Sequence, residues 1–97
     1  MKFNGALVKT DTRVIGVAVV DKSFVDKEPM ERAKYMQAFI QGFGGNAPVV
    51  LLLGDKDNLG DKEQFWGRPD LVEHLREIPL NMMTFKTYTA PDVEYDT

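Results

Sequence analysis

Apolar residues in this chain come in short runs broken by polar stretches, with two segments where they recur at helical spacing instead. Phe3 to Lys9 reads as a strand, the polar Thr10-Asp11-Thr12 as a loop, and Arg13 to Val20, rich in β-branched residues, as a second strand. Two apolar runs joined by three polar residues predict a hairpin. Gly16 inside the second run has two readings: a bulge or close backbone approach, or space left beneath a helix. Asp21 to Glu28 is polar apart from Phe24 and Val25 and leads to Pro29, whose missing N–H suits a first helical position. Met30, Ala33, Met36, Phe39, Ile40 and Phe43 then form an apolar stripe, with Glu31, Arg32, Lys34, Gln37 and Gln41 opposite. Gly44-Gly45-Asn46 closes this helix, since a C-cap favours residues that tolerate positive φ.

Pro48 to Leu53 is apolar on both faces, as expected of a central strand covered on both sides or of one at a subunit contact. Strand, helix and strand in this order predict a right-handed βαβ crossover. From Gly54 to Gly67 the chain is strongly polar, and a hairpin-like excursion is expected, with Asn58-Leu59-Gly60 at its tip and Lys62 to Trp66 as a returning strand. Pro69 opens a second helix whose stripe is Leu71, Val72, Leu75 and Ile78, solvated on the side of Asp70, Glu73, Arg76 and Glu77. Pro79 ends it. Met82 to Tyr88 reads as a last strand with Met83, Phe85 and Thr87 on one face. Residues 91–97, acidic and proline-bearing, are expected to fray. The order β-β-α-β-(β)-α-β predicts an α/β (α+β) domain: a mixed sheet of four or five strands with two helices packed on it. Because only two helices are available, the expected arrangement is a two-layer sandwich, the alternative being a miniature three-layer fold.

Length then limits this picture to one domain, residues 1–90, because 97 residues supply one thin core. The hydrophobic fraction of 43% is that of a folding chain. With no cysteine there is no disulfide framework, thiolate metal site or cysteine nucleophile. Met1 to Gly5 carries no leader-like apolar run, and Pro48 to Leu53 falls far short of the ~20 residues that cross a bilayer, so a soluble cytoplasmic protein is expected. The net charge of −3 is uneven: residues 1–50 carry seven Lys/Arg against five Asp/Glu, residues 51–97 five against ten. No basic surface for nucleic acid is expected from that balance, nor a membrane partner.

Candidate chemistry is sparse. The only serine, Ser23, has no glycine-flanked elbow, and pairing with the only histidine, His74, in a triad is not expected. Asp55-Lys56-Asp57-Asn58-Leu59-Gly60-Asp61 opens like a calcium loop, but Leu59 stands at its fifth place and Trp66 at its twelfth, where a bidentate glutamate belongs. A solvated turn is the better account, so neither metal nor other cofactor is expected. Gly42-Phe43-Gly44-Gly45 follows a helix rather than preceding one, the wrong end for phosphate.

The most suggestive stretch is Gln64 to Asp70, which sets the only tryptophan, a glycine and an arginine at the start of a helix. Free N–H groups and the Arg68 guanidinium would hold a small anion there, with Trp66 stacking on the ligand. The ligand-binding candidates are Trp66, Gly67 and Arg68, with Asp55 or His74 handling a proton. The bland alternative has Trp66 covering the core edge and Arg68 paired with a nearby aspartate. Val49 to Leu53, Met82, Met83, Phe39, Phe43, Phe65 and Trp66 form an apolar surplus from which self-association as a homodimer is expected. Two functional classes follow: a non-catalytic binding or interaction module, which the composition favours, and a small ligand-binding domain or enzyme using the anion site.

Overall fold

The two apolar runs at the start of the chain meet across a tight loop. In the computed structural model, which describes residues 1–54 and 65–93, β1 (Lys2–Lys9) and β2 (Val14–Val20) pair antiparallel from Gly5↔Ala18 to Lys9↔Val14. The loop is closed by the Thr10 amide on the Arg13 carbonyl at 2.8 Å and by the Thr10 hydroxyl on the same oxygen at 2.9 Å. A short 3-10 turn (Lys22–Asp26), capped by the Asp21 carboxylate on the Ser23 amide, brings Phe24 into the core. Then come α1 (Pro29–Gly42), β3 (Val49–Leu53), the two-residue β4 (Phe65–Trp66), α2 (Pro69–Arg76) and β5 (Lys86–Thr89).

The strands form one mixed sheet in the order β4-β3-β2-β1-β5. β2 and β3 run parallel and the other neighbours antiparallel. The α+β class, the mixed five-stranded sheet and the element order are those the apolar pattern predicts. Layering differs from the expected two-layer sandwich. Successive residues of a strand point to opposite faces, and both faces here are covered. Phe3, Ala18, Val49 and Leu51 pack with Ala38, Phe39 and Phe43 of the α1 segment. Ala6, Val8, Ile15, Val17, Val50 and Leu52 pack with Leu71, Val72 and Leu75 of α2. The helices lie on opposite sides, giving three layers. The cause is β3, all five of whose residues are apolar and need cover above and below.

One helix face and one strand boundary differ from expectation, each for an identifiable reason. Of the expected α1 stripe, Phe39 and Phe43 are buried and Met36 and Ile40 partly buried, whereas Met30, 77% exposed, and Ala33 face outward and Ala38 turns inward in addition. Small residues decide this, because a Cβ on Gly42 would lie 2.7 Å from the Phe3 ring. Gly16 likewise serves the helix layer: its strand register is regular on both sides, and a Cβ there would stand 2.6 Å from the Phe43 ring. The last strand starts at Lys86, not Met82, because β5 pairs with β1 only from Gly5↔Lys86 to Lys2↔Thr89. Leu80 to Met82 forms a 3-10 turn instead. Met83 is buried and Phe85 half-buried on the α2 side. The end of the described chain is tied to its start: the Met1 ammonium donates to the Ala90 carbonyl at 2.9 Å and to Asp92 at 2.8 Å.

Candidate functional site

At the β4 edge the chain passes from one side of the sheet to the other, and the passage leaves a hollow. The pairing Leu51↔Trp66 puts Trp66 on the α1 side. Gly67 then lies along Val50, where a Cβ would make ordinary contact at 3.4 Å, and Arg68 precedes the first turn of α2. Met36 and Ile40 of α1, Pro48 and Val49 at the start of β3, and Leu71 of α2 complete the wall. The space between them measures about 640 Å³, within the range of small-molecule sites. Apart from Arg68, every lining side chain is apolar.

Trp66, 38% exposed, is held rather than loose. The Arg32 guanidinium lies over its ring at 5.7 Å from the centroid, and Arg32 Nη1 donates to the Val25 carbonyl at 2.6 Å. That cation–π contact sets the indole at the mouth of the hollow. Arg68 makes a 2.9 Å bond from Nη2 to Asp70 Oδ2, and Arg13 Nη1 stands 3.9 Å from the same oxygen. Burial alone would raise the Asp70 carboxyl, but the Arg68 charge and hydrogen bonds from Arg68 and the Leu71 amide outweigh it and hold the carboxyl below its ordinary range.

This geometry separates the sequence candidates. Trp66, Gly67 and Arg68 come together on one hollow. His74 does not join them: it lines a different recess of about 430 Å³ with Lys9, Thr10, Asp11, Thr12, Glu77 and Ile78. Asp55, with the rest of the calcium-like loop and the expected tip at Asn58–Gly60, lies outside the described residues. The start of α2 carries its own anion, since Pro69 offers no N–H and Asp70 accepts from Leu71. Arg68 pairs with Asp70, one of the aspartates expected for it.

Sequence reading missed the α1 wall. Arg32, Met36 and Ile40 are spaced four apart and so share one row of the helix surface. That row is visible in the sequence as one cation and two apolar side chains. What faces it is not, because Trp66 arrives from 26 residues further along the chain. The apolar surplus behind the homodimer expectation is largely absorbed within one chain: Phe39, Phe43, Val49 to Leu52, Phe65 and Met83 are all buried. Among the described residues Leu7, Val14, Met30, Trp66 and Met82 are the large apolar side chains left exposed. No described helix is long and apolar enough to cross a membrane. Comparison with known proteins finds no matching family model, no matching curated protein and no matching solved structure.

Proposed function

We propose that this chain is a small non-catalytic binding module whose binding surface is the Trp66 hollow. One observation carries the reading: an apolar recess of about 640 Å³ between the two helices, with a positioned tryptophan at its mouth. Exposed apolar hollows of this size and lining are where small apolar ligands bind. The competing reading, a proton-transferring enzyme at an anion site, draws less support, since His74 faces another recess and Asp70 already serves the helix start. A cytoplasmic setting belongs to the same proposal and rests on the cysteine-free composition. Self-association would use Leu7, Val14, Met30 and Met82, and sedimentation velocity at tens of micromolar decides it.

The test uses the chain's single tryptophan as an internal reporter. Titration with neutral apolar probes such as phenylbutanol or octanol is expected to shift Trp66 emission and to saturate. Met36→Glu, which puts a charge into the wall, is expected to abolish the response while the circular dichroism spectrum stays unchanged. Emission that stays constant up to the solubility limit of every probe overturns the reading.

A further inference from the structure

Resting on the reading of the hollow just given, we infer that its ligand is an amphipathic carboxylate: an aryl or alkyl body inside the hollow and a carboxylate head on Arg68. The body follows from the wall, where Met36, Ile40, Pro48, Val49, Trp66 and Leu71 offer no hydrogen-bonding side chain except the tryptophan N–H. The head follows from what stands at the rim. Arg68 is the one charged residue in the lining, and a guanidinium presents a planar fork that matches a carboxylate in two parallel bonds.

The present partner of Arg68 does not block this role. The Arg68–Asp70 pair is exposed, with side-chain accessibilities of 67% and 50%, and such pairs contribute little to stability. Asp70 keeps other partners when Arg68 turns away, since Arg13 Nη1 already stands at 3.9 Å and the Leu71 amide donates to it. The rim at the start of α2 favours an anion, since Arg68 and Arg13 stand 2.9 and 3.9 Å from one shared carboxylate, Asp70. Arg32 is anchored by the Val25 carbonyl and by its place over the indole, so it acts as a fixed positive charge. Arg68, two-thirds exposed, is the one that turns onto the head group.

Matched acid and alcohol pairs test the inference: phenylbutyrate against phenylbutanol, and octanoate against octanol, each read by Trp66 emission at pH 7. The acids are expected to bind about tenfold more tightly than the alcohols, the order of one charge-assisted hydrogen-bonded pair. Arg68→Gln is expected to reduce that preference of acid over alcohol to about twofold or less. The substitution is at an exposed position whose side chain caps nothing, so the fold should survive it. Asp70→Asn, which removes the competing carboxylate, is expected to tighten acid binding further. Equal binding of acid and alcohol, or an acid preference that persists in Arg68→Gln, overturns the carboxylate assignment and leaves the hollow as a binding surface. Absence of any response to all four probes overturns both.

Discussion

Two glycines make room for one phenylalanine ring. The Phe43 ring lies on the floor left by Gly5 and Gly16, where added Cβ atoms would stand 2.8 and 2.6 Å from it. Gly16→Ala is therefore expected to destabilise the fold by about 1–3 kcal/mol through overpacking. Combining it with Phe43→Leu should return part of that loss in a urea-denaturation double-mutant cycle; strict additivity would show that the ring is not the obstacle. Sequence reading offered both a bulge and a helix seat for Gly16, and only the ring distinguishes them. A second residue-scale effect concerns Asp21, whose carboxyl is held below the ordinary value of 3.8, first by the Ser23 backbone amide and then by the Ser23 hydroxyl. A carboxyl with a lowered folded pKa contributes stability that is present above 3.8 and disappears as pH falls through the folded value. Thermal midpoints measured from pH 6 down to pH 2 should fall less steeply in Asp21→Asn, which keeps the capping oxygen but does not titrate.

At the scale of elements, α1 ends where the sequence says it should, and the backbone shows why. Gly44 has φ +100° and Gly45 φ +86°; the Gly45 amide donates to the Ile40 carbonyl at 2.9 Å and the Gly44 amide to the Gln41 carbonyl at 3.0 Å. These are the two bonds of a Schellman cap. Gly44→Ala meets no steric neighbour, so its cost isolates the backbone conformation. We expect about 1–2 kcal/mol, read from urea denaturation, with the helix signal otherwise retained. Prolines, glycine pairs and apolar periodicity made the helices and their ends legible, because each acts on its own few residues. The inward face of α1 was legible only in part. Phe39 and Phe43 of the expected stripe are buried, but Met30 and Ala33 fit the same spacing and lie outside, and that choice is made by Phe3, Phe24 and Tyr88 on distant segments.

The molecule as a whole is two cores that share one sheet. Phe39 belongs to the α1 side and Leu75 to the α2 side, with the sheet between them. Phe39→Leu and Leu75→Ala are each expected to destabilise by roughly 1–3 kcal/mol. Lacking shared partners, they should add to within about 0.5 kcal/mol when combined. A clear departure from additivity would mean that the layers exchange strain through β3. The site follows from the same architecture. Trp66, Gly67 and Arg68 were recognisable as a group because they are consecutive, whereas His74 was joined to them by its place on the same helix and in fact turns towards the β1–β2 loop.

Local interactions within a few residues chose most of the strands, the helices and their caps, and these could be read along the chain. Pairings between distant segments chose the strand order, the number of layers, which end of the α1 stripe is buried and the hollow beside Trp66. Such contacts depend on which side chains arrive together after folding, and a linear pattern records each partner without recording the meeting.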